Sequence, residues 1–132
     1  MTVTKRRASV TGYVENMFGR RYYYPDLASK QQKLRSRAER QCINAIIQGS
    51  AAELFRLAIA RVCRTLLVEG WAADVLLPVH DELLIECDEA VVEPVMVRAK
   101  AAMESAAEPF GIEWTVPIIA SPAFGDNWRE AH

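Results

Sequence analysis

The most regular pattern of hydrophobic and polar positions lies in the middle of the chain, between about Arg37 and Glu69. Apolar side chains recur there at every third or fourth residue, which aligns them along one side of a helix that turns ~100° per residue. This apolar face consists of Ile47, Ala51, Leu54, Ala58, Val62 and Leu66. Gly70 follows at once and is a typical helix terminator. The pattern therefore predicts one long amphipathic helix over residues 37–69.

A β-hairpin is predicted before this helix, over residues 10–24. β-Branched and aromatic side chains there flank the turn Asn16-Met17-Phe18-Gly19, which a glycine can close at positive φ. The polar, basic residues 27–37 are expected to form a loop or a short helix. Residues 1–10 are expected to be a separate basic N-terminal segment without ordered structure.

The rest of the chain predicts a second hairpin, a second helix and a last strand. Residues 74–87 contain two apolar arms on either side of the charged pair His80-Asp81. Residues 89–106 repeat apolar side chains at helical spacing and carry acids in the first turn, where the helix dipole favours them. Residues 114–119 predict a strand, and residues 122–132 an irregular tail. This order predicts an α+β fold, in which helices cover one face of an antiparallel sheet.

Length and charge refine this picture. The chain has 132 residues, which suffices for one modest core. Residues 1–40 hold ten Lys or Arg against three acids, whereas residues 41–132 hold six against fourteen. The basic part includes Arg20, Arg21 and Arg37 and surrounds three consecutive tyrosines, a combination that suits a phosphate backbone. An ordinary solvated surface would have the same composition.

The cysteines and the apolar segments indicate the compartment. Cys42, Cys63 and Cys87 are odd in number, widely spaced and set among apolar residues, so we expect buried free thiols and neither disulfides nor a zinc pair. No apolar stretch has the length of a signal peptide or a membrane span. These features predict a cytoplasmic protein without a membrane partner.

A polar group lies at the start of the long predicted helix. Arg40, Asn44 and Gln48 fall within ~80° of one another, on the side of the apolar face that begins at Ile47. Polar side chains above a core favour a cleft in which a ligand supplies hydrogen bonds. The alternative is that they cap loops or sheet edges within the protein.

Adjacent carboxylates mark the tip of the second hairpin. Asp81 and Glu82 follow His80 between apolar arms, and their mutual repulsion is relieved when a cation or basic group lies nearby. Mg²⁺ takes such oxygen ligands together with water and substrate phosphates. A solvated turn remains the plain alternative for three isolated residues.

Four stretches, in this order, resemble the family A DNA polymerases, the group that includes bacterial DNA polymerase I. They are Gly12-Tyr13-Val14-Glu15 with Gly19-Arg20-Arg21 and Tyr24-Pro25-Asp26; Ala38-Glu39-Arg40 with Asn44 and Gln48-Gly49-Ser50-Ala51-Ala52-Glu53; Val79-His80-Asp81-Glu82-Leu83; and Asn127-Trp128 with Ala131-His132. The resemblance covers residues 11–132 and implies the C-terminal part of a polymerase palm, an antiparallel sheet packed against long helices.

The resemblance also implies roles for individual residues. The second hairpin is similar to motif C, in which Asp81 would bind the catalytic metals, Glu82 would lie beside them and His80 would lie near the primer terminus. The polar group of the long helix would contact primer and template DNA, with the basic residues Arg20, Arg21 and Arg37 as further contacts. Pro78 departs from the family pattern and lacks a backbone donor, which puts strand pairing beside motif C in question.

The family's remaining catalytic parts have no counterpart in this sequence. Motif A and the nucleotide-binding fingers lie upstream in the family, and no stretch before Thr11 could hold them. The expectation is therefore part of a two-Mg²⁺ site, inactive alone, that reaches dNTPs through a complete enzyme with a separate polypeptide carrying motif A, fingers and thumb. A polymerase remnant, a fragment of a longer chain, a non-catalytic DNA-binding module and a plain scaffold remain as alternatives.

Overall fold

The computed structural model describes residues 2–112 and 115–131. The chain divides into two compact units, an N-terminal unit of Met1–Glu53 and a C-terminal unit of Leu54–His132. Helices and two small antiparallel sheets make up the described residues, which confirms the predicted α+β class. The strands form two separate two-stranded sheets where the sequence suggests a single one.

The N-terminal unit contains the first predicted hairpin. Strand β1 is Tyr13–Glu15 and strand β2 is Arg21–Tyr23, paired antiparallel. Gly19 has a φ of 80°, as its place at the end of the turn requires. A 3₁₀ helix, Pro25–Ala28, follows where the sequence leaves a loop or a short helix open. The prediction of a hairpin in this segment is confirmed, with strands shorter than the pattern suggests.

Helix α1, Thr2–Thr11, precedes the hairpin, although the sequence predicts no ordered element there. Its Ala8 is buried in a cluster with Val14, Leu27, Ala38 and Cys42. The segment has no strong amphipathic pattern because, among its described side chains, the small residue Ala8 alone is buried. Tertiary packing therefore stabilises a helix that local sequence does not signal.

Helix α2, Gln32–Glu69, is the long predicted helix and begins five residues before the predicted start at about Arg37. Ala58, Val62 and Leu66 of the predicted apolar face are buried, as expected. The first two members are not: Ile47 is 67% exposed and Ala51 is exposed as well. The buried positions in the first half of α2 are instead Ala38, Cys42 and Ser50. The buried positions of α2 recur at multiples of four residues, whereas the helix has 3.6 residues per turn. The buried face therefore rotates gradually along the helix, and Ile47 lies outside it.

The hairpin docks on α2 at Gly49 and Ser50. A Cβ atom at Gly49 would lie 2.5 Å from the hydroxyl oxygen of Tyr22, so the helix needs glycine for this close approach. Buried Asn16 donates from its Nδ2 to the Gly49 carbonyl at 3.2 Å, and its Oδ1 accepts from the backbone N–H groups of Phe18 and Arg20. One side chain thus closes the turn and ties it to the helix.

The C-terminal unit contains the second predicted hairpin and the second helix. Strand β3, Ala73–Val79, pairs antiparallel with strand β4, Glu82–Cys87, and helix α3 is Val92–Glu104 after a 3₁₀ turn at Glu89–Val91. The buried core of this unit consists of Val62, Leu66, Val95, Ala99 and Ala102. Both elements are confirmed, and Val95 and Ala99 lie on the buried side of α3.

The predicted last strand is wrong for the residues that the structure describes. Residues 115–119 have no strand structure, and the predicted start of the strand at Trp114 lies outside the described residues. A β-branched run becomes a strand only when it finds a pairing partner. The predicted irregular tail contains a short helix, α4, Trp128–Ala131, after further coil.

A carboxylate fastens this coil to α3. Glu104 accepts hydrogen bonds from the Lys100 ammonium at 2.7 Å and from the Ala120 backbone N–H at 2.9 Å. Chiefly the Lys100 hydrogen bond, and then the Ala120 N–H, hold the pKa of Glu104 below its ordinary value.

We expect the contribution of Glu104 to stability to depend on pH. A depressed folded-state pKa gives stability that is present above the ordinary glutamate pKa and is lost as pH falls through the folded value. Glu104→Gln should therefore flatten the acid side of the melting-temperature profile below about pH 4.3, the unperturbed glutamate value. Melting curves between pH 3 and pH 7 test this. The exposed Glu93, which has no partner among the described residues, provides the matched control Glu93→Gln, and an equal flattening in both variants would contradict the assignment.

Two further predictions concern the burial of the cysteine thiols and the absence of membrane-spanning segments. Cys42 is buried and burial raises its pKa, and burial likewise raises the pKa of half-buried Cys87. Cys63 is exposed, so the expectation of three buried thiols is wrong for that residue. Among the described residues, no helix is long and apolar enough to cross a membrane.

Candidate functional site

The turn between β3 and β4 places His80 and Asp81 at the tip of the second hairpin. His80 has a φ of 54°, the one positive value among the non-glycine residues that the structure describes. Positive φ at the first of two turn residues is typical of a type II′ hairpin turn, where glycine is preferred. A histidine held there carries a backbone strain of about 1 kcal/mol or more, a cost that clusters at functional sites. The tip is thus a strained, defined position.

Pro78 leaves the hairpin intact. It pairs in register with Leu83, next to the pair Val79 and Glu82 that flanks the two-residue turn. Residues that flank such a turn form a hydrogen-bonded pair, and the next pair along is not hydrogen-bonded. The missing N–H of Pro78 therefore points away from β4, and no bond of this ladder is lost. The pairing that the sequence puts in question is present.

The two adjacent carboxylates are exposed at this tip. Asp81 and Glu82 are both open to solvent, and the Asp81 side chain has no hydrogen-bond or ion-pair partner among the described residues. The same is true of the His80 ring. Across the described ranges, no three His, Cys, Asp or Glu side chains gather closely enough to hold a metal ion. Within the described chain, a metal ion at this turn would thus receive oxygen ligands only from these two adjacent carboxylates.

The polar group on α2 is solvent-exposed. Arg37, Arg40, Asn44 and Gln48 lie on the outer side of the helix, and none has a side-chain partner in the part of the chain that the structure describes. They share this surface with Ile47, as the spacing predicts. The expectation that they stand above a buried apolar face is wrong, because that face is itself open here. Four unpaired polar side chains around one exposed isoleucine form a surface that can bind a polar partner.

Arg20 and Arg21 differ from these residues because each is held by a carboxylate. The Arg20 guanidinium donates two hydrogen bonds to Glu53, at 2.8 and 3.0 Å, and Arg21 donates to Glu15 at 2.8 Å. These hydrogen bonds raise the pKa of both arginines. Any phosphate contact at either arginine would share the guanidinium with an internal acid.

An aromatic and cationic cluster lies on the same hairpin, and the sequence signals it only in part. Tyr13 and Tyr23 face each other across β1 and β2, with ring centroids 5.6 Å apart, and the Arg21 guanidinium carbon lies 4.7 Å from the centre of the Tyr13 ring. Alternation in β1 and β2 could have identified this outward set, since Tyr22 points inward to Gly49. Spacing alone gave no signal for the bridging role of Asn16.

The profile of DNA polymerase family A matches residues 1–130. The chain is 40% identical over 132 residues to DNA polymerase I of Pseudomonas aeruginosa and 42% identical over 120 residues to the thermostable DNA polymerase I of Thermus thermophilus. These alignments cover 100% and 91% of this chain. The chain spans 14% of the length of each of these two relatives.

A solved structure shares the fold. The POL domain of Pol1 from M. smegmatis, in complex with a DNA primer-template and dNTP, superposes with a TM-score of 0.89 at 33% sequence identity. The match covers 98% of this chain and 22% of that one. Fold and sequence therefore agree on one small portion of a larger polymerase domain.

Proposed function

This chain belongs to DNA polymerase family A, and from that membership we propose that it forms the C-terminal palm portion of a DNA-directed DNA polymerase. In this proposal the β3–β4 turn is motif C and supplies catalytic carboxylates for nucleotidyl transfer. The observation that carries the proposal is the exposed turn at which Asp81 has no partner within the described chain and follows the strained residue His80. An unpaired carboxylate on a defined turn is suited to bind a cation supplied from outside the fold.

The donor set of this turn fits magnesium in part. Two adjacent carboxylates offer the hard oxygen ligands that Mg²⁺ takes, but a protein site of this kind also needs further ligands, and no third side chain among the described residues supplies one. When bound, paired Mg²⁺ ions would activate the primer 3′-hydroxyl and stabilise the charge on the transferring phosphate. Asp81 would provide one carboxylate oxygen as a ligand. Glu82 would add negative charge beside it, and His80 would lie toward the primer end.

The exposed surface of α2 is proposed to hold the primer-template. Arg37 and Arg40 would neutralise backbone phosphates, and the side-chain amides of Asn44 and Gln48 would donate and accept hydrogen bonds. Arg20 and Arg21 would contribute more weakly, because carboxylates already hold them.

The remaining catalytic parts are proposed to lie on other polypeptide. The two relatives are about seven times as long as this chain, and motif A, fingers and thumb would complete the metal site and bind dNTP. We propose that a separate chain supplies them in the cytoplasm and that the isolated protein does not extend primers.

The experiment that tests this proposal is primer extension with Mg²⁺ and dNTPs. The chain is assayed alone and then with a family A polymerase fragment that ends before the position equivalent to Thr11. Extension in the mixture alone supports a complementing palm subunit. Absence of extension with every complementing fragment, from a folded chain that still binds DNA, would replace the proposal with a non-catalytic DNA-binding module or a polymerase remnant.

We predict that Arg40→Ala and Gln48→Ala weaken binding of primer-template DNA and leave the melting temperature unchanged, because neither side chain has a partner among the residues that the structure describes. The loss for Arg40→Ala should be roughly tenfold, the value of one charge-assisted hydrogen bond, and that for Gln48→Ala a few-fold. Fluorescence anisotropy at fixed salt measures both, since phosphate contacts weaken as salt rises. The matched control is Arg64→Ala, because Arg64 is another exposed arginine of α2 that has no partner within the described part of the chain. Equal losses at Arg64 and Arg40 would contradict the proposed surface.

A further inference from the structure

The N-terminal unit has a hollow beside the first hairpin that the proposed catalytic function does not use. Its volume is about 350 Å³, and its lining includes Arg7 from α1, Tyr13 and Glu15 from β1, and Ile46 from α2. This volume is at the lower end of the range for sites that bind small organic groups, roughly 300–1,000 Å³. One planar group could therefore enter it.

The Tyr13 ring links the hollow to an exposed aromatic surface. Tyr13 lines the hollow and contacts Tyr23, whose side chain is 68% exposed. The two rings are tilted by 54°, so they do not stack on each other in parallel. An exposed aromatic pair next to a hollow offers two successive surfaces for flat, apolar groups.

Cationic groups border the aromatic pair. Arg7 is exposed, and its guanidinium has no hydrogen-bond or ion-pair partner within the described ranges. Arg21 lies over the Tyr13 ring while it is bound to Glu15. Of these two cations, Arg7 is thus the one that no carboxylate of the described chain binds. It lines the same hollow as the Tyr13 ring.

We propose that Tyr13, Tyr23 and Arg7 form a binding site for single-stranded DNA, separate from the α2 surface assigned to the primer-template. Successive unpaired bases stack on Tyr23 and at the Tyr13 wall of the hollow, and a backbone phosphate pairs with Arg7. Alternating aromatic and cationic groups are the recurring chemistry of single-strand binding, because every base has a π-face and every nucleotide a phosphate. Bases in a duplex are already stacked on each other, so this site discriminates against double-stranded DNA.

The test uses the complete 132-residue chain and a fluorescently labelled single-stranded oligonucleotide of eight thymidines, with a duplex of the same length as the comparison. Tyr23→Ala should weaken single-strand binding on the order of tenfold, the loss of one base–aromatic stack, and leave duplex binding unchanged. Tyr23→Phe keeps the ring and should bind within about twofold of the parent. Arg7→Ala should also weaken single-strand binding and lower its salt dependence by one phosphate contact.

The matched control is Phe124→Ala, which removes another exposed aromatic ring from the C-terminal unit. Absence of single-strand binding by the parent, equal losses in the Phe124 and Tyr23 variants, or equal losses for duplex and single strand would overturn the proposal. Arg7→Ala replaces an exposed side chain that has no partner in the described chain, so it tests the site even when Tyr23→Ala disturbs the hairpin. This outcome is independent of primer extension, because the measurement needs no catalysis and the variants leave Asp81 and α2 unchanged.

Discussion

Asp81→Ala is expected to reduce primer extension by the complemented enzyme about a thousandfold or more, because a lost metal ligand removes several kcal/mol of transition-state charge stabilisation. Folding should be unaffected, since Asp81 is exposed and has no partner in the described chain. Single-turnover extension at saturating DNA separates this loss from any loss of binding. Duplex affinity, measured in parallel, should stay within about twofold of the parent because the substituted side chain is not on the DNA-binding surface.

A matched acid on the same hairpin provides the control for Asp81. Glu86 is exposed on β4, opposite Asp74 and away from the turn. Glu86→Ala should keep extension close to that of the parent. If both variants lose activity equally, the effect belongs to the negative charge of the hairpin as a whole, and the assignment of Asp81 as a metal ligand is wrong.

Val62→Asp is expected to unfold the C-terminal unit at room temperature. Val62 is 0% exposed and belongs to the buried apolar cluster that includes Leu66 and Val95. Burial of an unpaired charge costs at least about 4 kcal/mol, against a total stability of roughly 5–15 kcal/mol for a domain. Far-UV circular dichroism and urea titration should show a large loss of cooperative structure.

The next residue of the same helix provides the control for this variant. Cys63 is exposed, so Cys63→Asp places the same charge at an adjacent position of α2 without burial. Its cost should stay below about 1 kcal/mol, the range for surface substitutions and helix propensity. Comparable melting temperatures for the Val62 and Cys63 variants would show that the C-terminal unit has a different core.

The sequence predicts the elements with strong periodicity and misses those that tertiary contacts create. The apolar repeat predicts α2, but the first turn of α2 is mostly polar and does not continue the repeat, so the predicted start is too late. Helix α1 is missed because Ala8 is the one buried residue among the α1 side chains that the structure describes. Ile47 is predicted to be buried but is exposed, because the period of the buried positions and the period of the helix differ slightly.

The candidate site likewise has features that the sequence predicts and features that it does not. Adjacent acids between apolar arms predict the position of Asp81 correctly at a hairpin tip, because strand alternation and turn composition are local. The positive φ of His80 could not be predicted, since histidine is an unusual residue at a position that prefers glycine. The carboxylate partner of Arg20 was also hidden: Glu53 lies 33 residues from Arg20, and only the docking of the hairpin on α2 brings them together.

The orientation of Pro78 bears on how this protein behaves at high concentration. In the described chain β3 pairs on one side only, so its other edge could accept a strand from a second molecule, which is how fibrous aggregates begin. Pro78 faces that edge without a donor, and the register shift between Val75 and Leu77 interrupts it a second time. These two interruptions disfavour the addition of a strand to β3 and so oppose fibril growth. Any association of concentrated samples should therefore proceed through apolar side chains and be reversed by dilution.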